Sequence, residues 1–525
     1  VFRERLSAAK REEAGRRWLF VPYDQLSDQI GPLRHEPPRH LGIVLVECPE
    51  KASRRPYHKQ KLALVLANLR AFALEQAERG VAVRHVVSRG DYAHALAPLV
   101  GALGPLQVME PAERELRADL EPLVRAGALS VIPHEGWLTT HDDFRAAGAG
   151  PPWRMDAFYR HVRRRTGILM DGGRYVGGKL SFDVDNRRAW RGWPPAPAPP
   201  TFPSSPLKDE VLDLVRDRFA HHPGDVDGDA LPTTLADAEA LWAWAKRACL
   251  PSFGPFEDAM STRSSGLFHT RVAPLLNLHR LLPARVVRDV AALDVDLPSK
   301  EGFIRQVLGW REFVRHVHVA TDGFRASPSV DPTASPSFLG AARPLPPAFW
   351  GAPSGLRCLD QVVGDVWREA YSHHITRLMV LSNLATLLDV SPRALTDWFW
   401  VAYADAYDWV VEPNVLGMGT FAVGDLMVTK PYVSGAAYID RMSDYCAGCA
   451  FDPKTTCPIT QLYWAFLRRH REALAKNPRV AVPLAALTKR DPERVAEDAR
   501  VFEQVSSALE RGERLCPSRG SLRPH

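Results

Sequence analysis

Residues 42–87, GIVLVECPEKASRRPYHKQKLALVLANLRAFALEQAERGVAVRHVV, run from a short apolar segment through an amphipathic stretch to a second apolar segment. Gly42–Val46 has the length and branched side chains of a buried strand. Lys59–Arg79 sets Leu62, Val65, Leu66, Leu69, Phe72 and Ala73 on one helical face, and Gly80 is placed to cap it. Val81–Val87 reads as the next strand. Strand, helix and strand in this order form the crossover unit of a parallel sheet. Outward from this core, Trp18–Pro22, Leu106–Met109 and Leu129–Ile132 read as further strands. The expectation is a Rossmann-like α/β domain over residues 1–150. No G-x-G-x-x-G follows the first strand, so a ligand would be held by other means at the carboxyl ends of the strands, where Asp24, Gln25 and Glu47 fall.

Further along, the pattern changes twice. Residues 151–206 are basic and then proline-rich. The stretch Arg154–Arg191 leads into Trp193–Pro203, which has six prolines in eleven residues. Such a composition excludes helix and central strand, so the segment reads as an extended connector. From residue 207 to 525 apolar residues recur at three- and four-residue spacing. Leu207–Phe219, Thr234–Cys249, Gly266–His279, Gly302–His318, Leu359–Leu388 and Pro392–Tyr407 are expected helices, giving a large all-α domain. A hydrophobic fraction of 46% with 24% charged residues fits a soluble globular chain. No apolar run reaches the ~18 residues of a membrane span, and the charged start VFRERLSAAKREEAGRRW lacks a secretory core. A cytoplasmic location and a monomer are the expectations. The net charge of +6 permits a polyanionic partner without requiring one.

Three constellations could carry chemistry. Cys446 and Cys449 form a C-x-x-C, Cys457-Pro458 follows, and Cys358 lies upstream. Spacing alone serves a structural zinc as well as an iron–sulfur centre, with zinc slightly favoured. His373 and His374 are adjacent in a segment that reads as helical. One could act as a general acid while the other orients it, although hydrogen-bonded helix histidines are the plainer reading. Aromatics crowd the helical half at Trp398, Phe399, Trp400, Tyr403, Tyr407 and Trp409, with Trp310, Trp350, Trp367 and Tyr438 elsewhere. Core packing accounts for most such rings. Asp405 and Asp408 among them need partners, and Arg377 is one candidate.

Several longer stretches, in order, resemble the bacterial iron–sulfur photolyases and cryptochromes. They are YDQLS (Tyr23–Ser27), YHKQK (Tyr57–Lys61), FYRHVRRRTGILMDG (Phe158–Gly172), VGGKLSFDVDNR (Val176–Arg187), EGFIRQVLGWREFVR (Glu301–Arg315), YSHHITRLMVLSN (Tyr371–Asn383) and DAYDWVVEPNVLGMGTFA (Asp405–Ala422), together with the cysteines. The resemblance implies the photolyase/cryptochrome fold, with an antenna domain, a connector and a helical FAD-binding domain. It turns the four cysteines, Cys358, Cys446, Cys449 and Cys457, into ligands of a [4Fe–4S] cluster. It assigns His269, Thr270 and Val272 to the FAD phosphates. Gln306, Arg377, Asp405, Asp408, Asn414 and Met418 go to the ribityl chain and ring. Val272-Ala273-Pro274 stands where such proteins usually have Leu-Ser-Pro, so one hydroxyl contact is missing.

The same resemblance implies Trp398 as the proximal donor in flavin photoreduction, with Trp350 and Tyr438 as outer members. It implies Asp24, Gln25 and Glu47 as contacts of an antenna such as a ribityl lumazine. It also implies UV-damaged DNA as partner, with Trp310 stacking on a flipped lesion and Arg311 holding a phosphate or the FAD side. Splitting a cyclobutane dimer needs no general acid, whereas reversing a (6-4) photoproduct must move a hydroxyl between pyrimidines. His374, oriented by His373, suits the second task, and light-driven (6-4) repair is the expected function. A light-sensing cryptochrome of the same family is the alternative.

Overall fold

The computed structural model describes residues 1–148, 150–325 and 335–517. Five strands, β1 (Arg17–Phe20), β2 (Leu41–Glu47), β3 (Ala82–Val87), β4 (Leu106–Met109) and β5 (Leu129–Ile132), form an all-parallel sheet in the order β3-β2-β1-β4-β5. The order reverses between β1 and β4, which leaves a crevice outside their carboxyl ends. β2 lies between β3 and β1 and is buried along its whole length. It has glycine at position 42 because Trp18, paired across from it on β1, lays its indole 2.6 Å from where a Cβ would stand.

Helix α1 (Lys59–Glu78) crosses between β2 and β3, α2 (Tyr92–Leu103) between β3 and β4, and α3 (Arg114–Arg125) between β4 and β5. Gly80 caps α1 at φ +95°, a conformation that costs a side-chain-bearing residue ~1 kcal/mol or more. Here α1 departs from a one-faced helix, because its polar positions are buried too. Lys61 donates to the Trp400 carbonyl (3.1 Å), Asn68 to that of Pro232 (2.9 Å) and Arg70 to Glu47 (2.6 Å) and Glu210 (2.8 Å). The other side is covered by α4 (Pro206–Arg218), which folds back onto the sheet domain directly after the proline-rich connector.

The rest is helical, as the spacing predicts, but several expected helices are interrupted. Gly266–His279 is mostly turns, with only Ala273–Asn277 helical, and Leu267 and Arg271 adopt φ of +44° and +56°. Helix α5 (Glu312–Ala320) continues a wider π-type turn over Arg305–Arg311. The expected helix Leu359–Leu388 is two. α6 (Arg357–Glu369) stops at Ala370, which is left-handed (φ +50°), and helix resumes at His374, passing into a π-type turn over Thr376–Ser382. Helix α7 (Pro392–Ala402) ends before Asp405, another π-type turn covers Glu412–Gly419, and α8 (Pro458–Arg469) follows the cysteine loop. No described helix is long and apolar enough to cross a membrane.

Candidate active site

The break at Ala370 builds the pocket. Its carbonyl accepts from the Ala404 N–H (3.0 Å), which ties the histidine segment to the loop that carries Asp405. Arg377 then forks onto Asp405, with Nη1–Oδ1 and Nη2–Oδ2 both at 3.0 Å, while its Nε donates to the Ser372 carbonyl (2.8 Å) and its guanidinium lies 4.0 Å over the Tyr403 ring. Asn277 donates to the Asp405 carbonyl (2.9 Å), so the turn after His269, Thr270 and Val272 meets the same ion pair. His373 is not on the helix, contrary to the sequence reading. It precedes the first helical turn, and its ring stacks on His269 at 4.4 Å and 6°. His269, His373 and His374 offer ring nitrogens within 4.8 Å of one another. Gln306 donates to Glu257 (2.7 Å) at the edge of this group.

Burial disfavours the charged form of all three imidazoles. Burial, with Arg305 and Arg377 nearby, pushes His374 down to about 4. Burial and its histidine neighbours hold His269 and His373 well below the usual range. The His373 Nδ1 is buried without a hydrogen-bond partner. The positive φ at Leu267, Arg271 and Ala370 surrounds this cluster, as strained backbone tends to do at functional sites. Gln306, Arg377, Asn414 and Met418 all sit on π-type turns, which widen a helix and re-aim its side chains. The sequence holds no clear sign of these turns.

Other expected members lie elsewhere. The Asp408 carboxylate faces the sheet domain, where it accepts from the N–H groups of Glu115 (3.1 Å) and Trp409 (2.6 Å). Arg311 is buried between the two halves. Its guanidinium lies 4.1 Å over Trp137 and donates to the Leu276 carbonyl (3.2 Å), so it is not presented to a DNA backbone. Trp310 is half-buried and packs edge-on against Phe313 at 6.0 Å.

The aromatic route is also rearranged. Trp398, 1% exposed, lies 6.0 Å from Tyr403, the ring beneath Arg377. It meets Trp367 at 5.9 Å, Trp367 stacks on Trp350 at 5.5 Å, and Trp350 is 49% exposed. Trp367 is thus the middle ring, which sequence reading passed over. Tyr438 stands apart, donating to Asp258 (3.3 Å).

The four cysteines line one cavity with Leu356, Ala436, Ile439, Tyr445, Phe451 and Ile459. Cys358 is in the first turn of α6, and Cys457 caps α8, with Pro458 at its favoured first position. At Gly448 the tip of the Arg357 side chain occupies the place of a Cβ, so a larger residue there would have to push that guanidinium aside. Burial, with the neighbouring thiols, pushes Cys358 well up, and Cys457 to about 11.

At the sheet crevice, Asp24 is 2% exposed, its Oδ1 and the Tyr23 hydroxyl lack hydrogen-bond partners, and burial lifts its carboxyl to about 7. Gln25 is spent on the Met109 carbonyl (2.9 Å). Glu47 is saturated: burial would raise it, but His85 and Arg70 hold it at about 2.

The family model described as deoxyribodipyrimidine photo-lyase-related protein matches residues 19–231. A protein named (6-4) photolyase from Agrobacterium fabrum is 34% identical over 501 residues, 92% of this chain and 96% of its own length. The chain belongs to the photolyase-related family. Solved structures share the fold. A bacterial class III photolyase from Agrobacterium tumefaciens has a TM-score of 0.58 at 14% identity, covering 96% of this chain and 99% of its own. The cryptochrome of Synechocystis sp. PCC6803 has a TM-score of 0.58 at 13% identity, covering 94% of this chain and 100% of its own. The fold expected of a photolyase-related chain, a parallel-sheet domain with a helical remainder, is the one observed.

Proposed function

We propose that the protein repairs (6-4) photoproducts in DNA under light, with FAD in the pocket at Arg377–Asp405 and His374 as proton donor to the lesion. The observation that carries this reading is the broken helix at Ala370, which sets His373 and His374 beside a buried ion pair. The 34% identity to a named (6-4) photolyase supports the substrate. The residues that would hold the cofactor are His269, Thr270 and Val272 on one segment and Gln306, Arg377, Asp405, Asn414 and Met418 on the others, and the buried, unpartnered His373 Nδ1 and the Asn277 bond to the Asp405 carbonyl support that reading. Reduced FAD, when bound, supplies an excited-state electron that returns after bond rearrangement. The chain's own residues do the rest. Arg377 is oriented by Asp405, His373 is fixed by its stack on His269, and His374 moves a proton at its ring nitrogen to and from the migrating hydroxyl.

We read the four cysteines that line one apolar cavity as ligands of a [4Fe–4S] cluster, a reading supported by the resemblance of the cysteine set to that of the iron–sulfur photolyases, whereas spacing alone would serve zinc as well. Trp350–Trp367–Trp398 is the proposed photoreduction route, in place of one through Tyr438. For the antenna, Asp24 with Tyr23 remains, and Glu47 is dropped. The test is to illuminate the reduced protein with oligonucleotides carrying one defined lesion. Restored pyrimidines from the (6-4) substrate are expected, and photoreduction without restoration would move the assignment to a light sensor.

A further inference from the structure

Trp193 leaves 79% of its surface in water. A loop indole usually folds down onto apolar neighbours, and this one is held away from them by a fixed base. Trp190, 6% exposed, packs with Ala259, Leu267 and Phe268, and its indole N–H donates to the Pro194 carbonyl (2.7 Å). Arg263 lies 4.3 Å over the Trp190 ring, and its Nη1 is 2.9 Å from where a Cβ on Gly192 would stand. Arg191 donates to the Arg441 carbonyl (3.4 Å), pinning the turn to the helical half. Arg191, Arg263 and Arg441 are exposed, and among the described residues neither Arg191 nor Arg441 has a carboxylate within 4.0 Å.

The base of this turn is continuous with the pocket. The segment under Trp190 also carries Glu257, which accepts from Gln306, and Asp258, which accepts from Tyr438. It ends at His269, on which His373 stacks. An exposed indole beside two arginines without a carboxylate partner, Arg191 and Arg441, and a third, Arg263, 3.8 Å from Asp444, fixed to the wall of the proposed lesion pocket, has the makeup of a single-strand stacking platform.

We infer that Trp193 stacks on a base left unpaired in the damaged duplex when the lesion leaves the helix, with Arg191, Arg263 and Arg441 holding the adjoining phosphates. This rests on the repair reading above. Flipping removes the lesion from its own stack and from its partner bases, so a protein ring that replaces one lost contact favours the flipped state. The role is recognition of the opened duplex, and it leaves the chemistry to the pocket.

The experiment uses the full chain loaded with FAD and a labelled duplex carrying one (6-4) lesion, beside the same duplex undamaged. Trp193→Ala should bind the lesion duplex roughly ten-fold more weakly, with unchanged binding to undamaged DNA. Trp193→Phe should restore most of the loss, since stacking needs only a ring. The slope of log affinity against log salt should be unchanged by Trp193→Ala and reduced by about one by Arg191→Ala, which removes a phosphate contact. Equal binding of the lesion duplex by wild type and Trp193→Ala would overturn the inference, as would an equal loss on both duplexes. Wild-type protein with no preference for the lesion would overturn the repair reading and this inference with it.

Discussion

The histidine pocket and the cysteine cavity both lie in the helical half, the first buried and the second half-buried, yet they are held by opposite means. The cavity is apolar, and three of its four sulfurs come from one short loop between Cys446 and Cys457. The pocket is polar and draws on segments from His269 to Met418, each of which leaves regular α-helix where it arrives. A site built from a local motif keeps its identity in the spacing of its residues. A site built from interrupted helices depends on where each interruption turns the side chain.

Breaking the cavity should have the largest effect. Cys446→Ser should remove the iron and most of the soluble protein, because binding at such centres is coupled to folding. Iron analysis of anaerobic preparations checks this, and stoichiometric zinc in the wild type would contradict it. Breaking the pocket is expected to cost less. Arg377→Ala leaves Asp405 as a buried charge without its partner, a loss of roughly 3–5 kcal/mol for a buried pair. Because Arg377 is 22% exposed at its side chain, the lower end applies. Denaturant unfolding and FAD content should both fall, with Arg377→Lys intermediate because it cannot make the bidentate fork.

Smaller changes separate the two regions from the aromatic route. Trp367→Phe should slow flavin photoreduction about ten-fold or more, by roughly the ~1.4 kcal/mol that one decade represents. Tyr438→Phe should leave it unchanged, since that ring stands beside Asp258 and outside the Trp398–Trp367–Trp350 chain. Transient absorption after a flash distinguishes them.

Within about a unit of neutrality, the smallest effect is expected from pH. His58 and His374, each near 4, and His279, near 3, are depressed below the ordinary ~6.5 mainly by burial. The unfolded chain therefore binds more protons. Stability is full above about pH 6.5 and is lost as pH falls through about 4. The melting temperature should be level between pH 7 and 8 and decline below 6.

Much of the fold was legible in the sequence because strand and helix periods express burial directly. Gly42–Val46, Leu106–Met109 and Leu129–Ile132 are strands within a residue or two, and Gly80 caps its helix as expected. The polar side of α1 was not legible, because Lys61 and Arg70 are buried only by segments distant in sequence, the Trp400 carbonyl on one side and Glu210 of α4 on the other. In the pocket, Arg377 with Asp405 was readable as a charge needing its opposite. The family resemblance gave Asp408 to the flavin and Arg311 to a phosphate or the FAD side, but both turn toward the sheet domain. Trp367 carried no motif, and only its position between two other indoles gives it meaning.

The central claim is that His374 moves the proton in repair while the pocket around it holds the flavin. The most direct measurement is single-turnover repair of a bound (6-4) oligonucleotide by reduced His374→Ala and wild-type protein under the same light. General acid–base groups typically contribute 10²–10⁴-fold. The expected result is a loss of at least about a hundred-fold in restored pyrimidines, with FAD content and photoreduction at wild-type levels. Repair by His374→Ala at the wild-type rate would contradict the account.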